Sequence, residues 1–163
     1  MDIYAFLNQH NITYQRFDHE AVFTCEQAHG IRTEPMPGMD TKNLFLRDKK
    51  GKRHFLVSVP HEKQVDLKAL TDVLQVQQGL SFASPERLQQ HLGLTPGSVT
   101  LLGLINDPEH KVEFVIDQSL WDAEAVCCHP LINTATLVIS HEGLEKFLTA
   151  TGHTAKVIDV PVI

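Results

Sequence analysis

Thr41-Lys42-Asn43-Leu44-Phe45-Leu46 reads as a β-strand that carries a lysine and an asparagine at its very start. The polar stretch Arg47-Asp48-Lys49-Lys50-Gly51-Lys52-Arg53 follows, and His54-Phe55-Leu56-Val57-Ser58-Val59-Pro60 resumes the strand pattern. Two apolar runs joined by a glycine-containing polar loop signal a hairpin. A lysine at the mouth of such a strand is held by a rigid element, where a fixed cation is most useful. From the residue types alone a solvated strand-end lysine is the ordinary reading, because long charged side chains are mostly exposed.

Outward from the hairpin, the chain alternates short helices and strands. Ile3, Phe6 and Leu7 recur at helical spacing, so Asp2 to about His10 is expected as a helix with Asp2 at its start. Ile12 to Phe17 alternates like a strand. Thr24-Cys25-Glu26-Gln27 has the form of a capping box, with Gly30 as a stop. Ile31 to Asp40 holds Pro35, Pro37 and Gly38 and is expected as a loop. After the hairpin, Asp66 can cap a helix with Leu67, Leu70, Val73 and Leu74 on its apolar face. Ser84-Pro85-Glu86 starts another, which Gly93 ends. Thr95 to Ser98 is a turn. Val99 to Ile105 is apolar enough for a buried central strand, with Lys111 to Ile116 returning as its antiparallel partner. Thr134 to Ile139 is β-rich, Ser140 caps a helix that Gly152 closes, and Ala155 to Val160 is a last strand. This order is not a regular β-α-β alternation, so the expected class is α+β with a mixed, mainly antiparallel sheet and flanking helices.

A length of 163 residues implies one domain, 1–163. The formal net charge of −6 argues against a protein that coats nucleic acid nonspecifically. Yet eight of the fourteen Lys and Arg residues lie between Lys42 and Lys68, so a basic patch can meet phosphates at one place. The same lysines also fit protection of a hairpin edge against strand pairing. Cys25, Cys127 and Cys128 form no disulfide framework, and free thiols fit a reducing cytoplasm. No secretory signal and no apolar run of membrane-spanning length is visible.

Cys127-Cys128-His129 lacks the spacing of a zinc site, and no HExxH, GxSxG, P-loop or dinucleotide fingerprint occurs. Cys25 at a helix start is open as a nucleophile or as a structural thiol. His129 before Pro130 has an extended backbone just upstream of a strand, and can face a cleft or make a local structural hydrogen bond.

The stretches TKNLFLRDKKGKRHFLV, LSFASPERLQQHLGLTPGSVTLLGLIND and CHPLINTATLVIS resemble the YbaK/ProX family of aminoacyl-tRNA editing domains. These are freestanding relatives of the editing domain inserted in bacterial prolyl-tRNA synthetase. The resemblance runs in order over essentially the whole chain, and is strongest to the ProXp-ala branch, which deacylates alanine mischarged onto proline tRNA. It implies the editing-domain fold, hydrolysis of an aminoacyl ester, and neither metal nor cofactor. The family lysine falls on Lys42, the adjoining asparagine on Asn43, and the H-P motif on His129 and Pro130. The family's Gly-x-x-x-Pro loop falls on Gly97, Ser98, Val99, Thr100 and Leu101, with leucine in place of the proline. Ile31, Phe45 and this loop are expected as pocket walls. Arg47, Lys49, Lys50, Lys52 and Arg53 are expected to meet tRNA. The implied partners are the acceptor end of mischarged tRNA, with prolyl-tRNA synthetase or an elongation factor beside it, around a cytoplasmic monomer. Removal of cysteine, serine or threonine, or a noncatalytic tRNA or synthetase adaptor, stay open as alternatives.

Overall fold

The computed structural model describes residues 2–19 and 38–163. The expected capping box at Thr24–Gln27, Cys25, Gly30, Ile31 and the loop prolines lie outside the described residues. Helix α1 (Ile3–Gln9) forms where Asp2 accepts the Tyr4 N–H at 2.8 Å, and it buries Ile3, Phe6 and Leu7. Strand β1 (Gln15–Asp18) follows. Then comes the hairpin, β2 (Met39–Asp48) and β3 (His54–Pro60), with Phe45 opposite Leu56 and Arg47 opposite His54. Met39 and Asp40, expected in a loop, already belong to β2, because they pair in parallel with Val126 and Cys127.

The caps legible in the sequence are where they were expected. Asp66 accepts the Ala69 N–H and opens α2 (Leu67–Val73). After β4 (Leu80–Phe82), Ser84 accepts the Arg87 N–H and opens α3 (Pro85–Leu92), which Gly93 closes at φ +66°. Only a residue tolerant of the left-handed region ends a helix this way at no steric cost. Leu70 and Leu74 are buried under α2 as expected, but Val73 is 45% exposed, because a seven-residue helix turns it away from the sheet.

The stretch Val99 to Ile105 departs from expectation. It is not a strand: Pro96–Ser98 and Leu101–Asn106 are 3₁₀ turns. Thr100 accepts the Leu102 N–H through its hydroxyl, and its carbonyl accepts the Gly103 N–H at 3.0 Å. Asn106 ties the far end to the Leu92 carbonyl at 2.8 Å. Leu101, Leu102 and Leu104 are all buried, and a run buried all round carries the same pattern in either conformation. Strand β5 (Val112–Asp117) therefore has no antiparallel partner there. It lies parallel to β3, with Leu56 opposite Phe114, and parallel to β8 (Ala155–Ile158). Between them come α4 (Gln118–Trp121), β6 (Ala125–Cys128), β7 (Ala135–Ser140) and α5 (His141–Thr151), the last capped by Ser140 and closed by Gly152.

The strands follow the order β1-β7-β6-β2-β3-β5-β8, with β4 also on β2. Four pairings are antiparallel and three parallel, so the sheet is mixed and mainly antiparallel, as expected. Both faces are covered. Phe45, Leu56, Phe114 and Ile116 join the core that holds α1, α3 and α5 side chains, while Leu46, Phe55, Val57, Val59 and Val115 pack with Leu70 and Leu74 of α2. Two covered faces explain why all seven β3 residues are buried.

Candidate active site

β2 carries β3 on one edge, so β6 and β4 share the other. β6 is in register only with Met39 and Asp40, and β4 only with Leu46, Arg47 and Asp48. Among the described residues, no strand is in register on that edge along Lys42-Asn43-Leu44. The Phe45 carbonyl accepts the Ala83 N–H at 2.9 Å, on the β4 side. Peptide groups two residues apart on a strand point the same way, so the N–H and C=O of Asn43 point into this interval. The Thr41 hydroxyl donates to the Cys127 carbonyl at 2.6 Å, which pins the end of β6 there. His129 and Pro130 follow directly, where β6 leaves β2. The two motif stretches thus meet where one strand exchanges neighbours.

Lys42 and Asn43 leave the strand on opposite faces, as period-two geometry requires. Lys42 is half-buried, and its ammonium donates to the Lys63 carbonyl at 2.5 Å. One N–H is used and two remain to be aimed elsewhere. Lys63 is itself fixed: its ammonium pairs with Asp117 at 2.5 Å and with Asp159 at 3.2 Å. Asp117 is 2% exposed and also accepts the Val160 N–H and the Ser119 N–H and hydroxyl. Burial works to raise the Asp117 pKa, but the Lys63 ammonium and these donors outweigh it and hold the carboxylate below its ordinary range. Lys63 and Asp117 escape sequence reasoning, since their link to Lys42 runs through a backbone carbonyl. The one local hint is Asp117-Gln118-Ser119 at a strand end, a cap signal.

Asn43 sits opposite Ser58 and accepts its hydroxyl hydrogen. Its amide reaches the Val99 carbonyl at 3.5 Å. This residue therefore joins the hairpin to the Gly97–Leu101 loop. Ser58 was legible in principle, because hairpin register puts it across from Asn43. Within the loop, Thr100 and Leu101 are fully buried and Ser98 nearly so. Thr100 acts as a cap and Leu101 as core, and neither is a surface of the interval, contrary to expectation. Gly97 and Val99 remain partly exposed. Phe45 is likewise core: it is 5% exposed and stacks on His54, ring centroids 5.7 Å apart.

The His129 ring closes its own loop, with Nδ1 at 3.1 Å from the Ala135 carbonyl. A carbonyl only accepts, so Nδ1 carries the hydrogen and Nε2 the lone pair of a neutral ring. Burial lowers its pKa; the Ala135 hydrogen bond opposes this and the neighbouring His19 adds to it. The rings of His19 and His129 are 6.4 Å apart, edge to face. Leu131, two residues on, holds φ +70°, a left-handed conformation that costs a bulky side chain about 1–3 kcal/mol. Pro130 is buried beside it. Among the described residues, the thiols are poorly placed as nucleophiles: Cys127 and Cys128 are buried, and burial drives the Cys128 pKa upward. Among the described residues, no group of three or more His, Cys, Asp or Glu is placed to hold a metal, and no helix is long and apolar enough to cross a membrane.

The lysine loop is tied back onto Asp48. The Asp48 carboxylate accepts the Lys52 and Arg53 N–H groups at 2.8 and 3.0 Å. Burial raises its pKa, but these backbone donors prevail and lower it. Lys49, Lys50 and Lys52 are exposed. Arg47 curls onto the Asp48 and Lys49 carbonyls, and Arg53 is committed to Glu113 through two bonds of 2.9 and 3.0 Å. The expected five-residue cationic surface is therefore chiefly three lysines.

A family model described as an aminoacyl-tRNA editing domain matches residues 19–147. The prolyl-tRNA editing protein ProX of Acetoanaerobium sticklandii is 41% identical over 97% of this chain and 95% of its own length. The prolyl-tRNA synthetase associated domain-containing protein 1 of Mus musculus is 37% identical over 83% of this chain and 81% of its own. Among solved structures, that of hypothetical protein APE2540 shares the fold, with a TM-score of 0.75 at 17% identity over 98% of this chain and 99% of that one.

Proposed function

The chain belongs to the aminoacyl-tRNA editing domain family, and from that we propose that it acts in trans on mischarged proline tRNA, hydrolysing the ester of alanine and sparing that of proline. The observation that carries this reading is the position of Asn43. It ties the hairpin to the Gly97–Leu101 loop while its peptide group faces the interval between β6 and β4.

An aminoacyl ester is already activated, so no strong protein nucleophile is required. Water adds to the ester carbonyl carbon, the C–O bond to the terminal ribose breaks, and the ribose oxygen takes up the proton as the free amino acid leaves. The protein's task is to place the ester and stabilise the oxyanion. In this proposal the two remaining N–H groups of Lys42 meet the terminal phosphate, the ribose or the carbonyl oxygen. The Asn43 peptide orients the ester, and the neutral His129 holds its loop against the substrate. The substrate's own 2′-hydroxyl assists the water. Proline is excluded by size in a pocket bounded by the partly exposed Gly97 and Val99 and by the turn at His129. An apolar pocket that admits the smaller side chain gains little discrimination by attraction, so steric exclusion of the ring has to carry the selectivity. The partner is the tRNA acceptor end, and the setting is the cytoplasm, alongside prolyl-tRNA synthetase or an elongation factor.

The test is deacylation of proline tRNA charged with alanine, serine, cysteine or proline, and of alanine tRNA charged with alanine, by wild type and Lys42→Ala. Loss of alanine from proline tRNA that depends on Lys42 supports the reading. A preference for cysteine or serine moves the protein to another branch of the family. Tight tRNA binding with no hydrolysis of any ester makes it an adaptor, and full activity in Lys42→Ala removes that lysine from the mechanism.

A further inference from the structure

Phe82 is 61% exposed, on a strand of only three residues. Leaving most of such a ring in water forgoes the favourable burial of its apolar surface. Its neighbours indicate what covers it. β4 lies along β2 between the lysine loop and the interval described above. Leu80 stands opposite Asp48, at the loop end, and Phe82 opposite Leu46, at the interval end. Ala83, the next residue, donates to Phe45 at the edge of the interval. At the loop end stand the exposed Lys49, Lys50 and Lys52. Other cations near the loop are already engaged: Arg53 with Glu113, and Arg87 with the Gly51 carbonyl and His54. A chain of net charge −6 thus gathers exposed lysines at one end of this short stretch of β2 and sets an exposed aromatic ring at the other. That pairing suits single-stranded nucleic acid, with phosphates on the cations and a base on the ring.

We propose that Phe82 is a stacking platform for an unpaired nucleobase near the 3′ end of the bound tRNA, as that strand runs from the lysine loop to the interval at Asn43. The five residue steps from Asp48 to Asn43 cover about 17 Å of strand, room for a short run of unpaired nucleotides. The choice of tRNA rests on the function proposed above; the stacking itself does not depend on which amino acid is removed or on hydrolysis.

The experiment measures binding of uncharged proline tRNA, and of the same tRNA trimmed of its unpaired 3′ nucleotides, at one fixed salt concentration. The proteins are wild type, Phe82→Ala, Phe82→Leu and Phe82→Trp, each with its thermal unfolding recorded. The Ala and Leu variants are expected to bind intact tRNA roughly 5- to 150-fold more weakly, while Trp retains affinity. All four are expected to bind trimmed tRNA equally. Leucine performing as well as tryptophan would overturn stacking in favour of a shape-insensitive apolar contact with the RNA. Unchanged affinity in Phe82→Ala, an equal loss on trimmed tRNA, or wild type that binds neither RNA would each overturn the proposal. Because the RNA is uncharged, a failed deacylation assay leaves these outcomes readable.

Discussion

Replacing Asp117 by asparagine tests how Lys42 is held. The Asp117 carboxylate is buried, faces the Lys63 ammonium at 2.5 Å, and accepts from Val160 and Ser119 as well. Asparagine keeps the size and one acceptor oxygen but removes the charge. Lys63 is then left largely enclosed, its side chain 16% exposed, and among the described residues it has only the surface carboxylate of Asp159 to face. Breaking a buried ion pair from one side costs about 3–5 kcal/mol, and the partial exposure of Lys63 points to the lower end, about 3 kcal/mol. For a chain of this length, that lowers the melting temperature by roughly 6–12 °C. The pH dependence follows from the lowered pKa of Asp117. A carboxylate whose folded pKa lies below its unfolded value contributes stability that is complete above roughly pH 4 and is lost as pH falls through the folded pKa. Urea unfolding at neutral pH should therefore separate wild type from Asp117→Asn, and the gap should close in acid. Deacylation gives the functional half of the test. Lys63 offers Lys42 its carbonyl, so Asp117→Asn and Lys63→Met should both lower kcat more than the unfolded fraction explains. A variant that melts lower yet turns over at the wild-type rate would refute the tether as a device for placing Lys42. An unchanged melting temperature would refute the energetic argument itself.

Two further outcomes are expected. His54 is buried, packed against His91 and beside Arg87, and its pKa is pushed down to about 4, first by burial and then by those two neighbours. An unfolded histidine titrates near 6.5, so the unfolded chain binds the extra proton first. Stability should be full above about pH 6.5 and decline towards pH 4; His54→Gln should flatten that slope in urea titrations, and an unaltered slope would count against it. Asn43→Ala releases the Val99 carbonyl and leaves Ser58 without its acceptor, so deacylation of alanine-charged tRNA should fall roughly 5- to 100-fold, with poorer rejection of the proline ester. Wild-type rates and selectivity would show that the loop needs no such tie.

Much of the local structure was legible because its causes lie within a few residues. The caps at Asp2, Asp66, Ser84 and Ser140 are contacts between a side chain and an N–H two or three residues on, and Gly93 and Gly152 supply the left-handed turns that end helices. The hairpin followed from two apolar runs and the loop joining them. Of the candidate site, the sequence offered residue types but not their arrangement. Lys42, Asn43, His129 and Pro130 came from the resemblance of their motifs, not from spacing alone. Misplaced pocket walls at Phe45, Thr100 and Leu101 show the limit of that route, because a motif names residues without saying which face they take.

Residue order thus determined where the capped helices begin and end, the hairpin, and where the cations collect. Tertiary structure decided which strands meet. Whether Val99 to Ile105 became a strand depended on what enclosed it, since an apolar run buried on every side satisfies its backbone as readily in 3₁₀ turns. The partners of β5, the exchange of β6 for β4 along β2, and the Asp117–Lys63–Lys42 chain all join residues far apart in sequence. Such contacts form only when the whole chain has collapsed, and no local pattern encodes them.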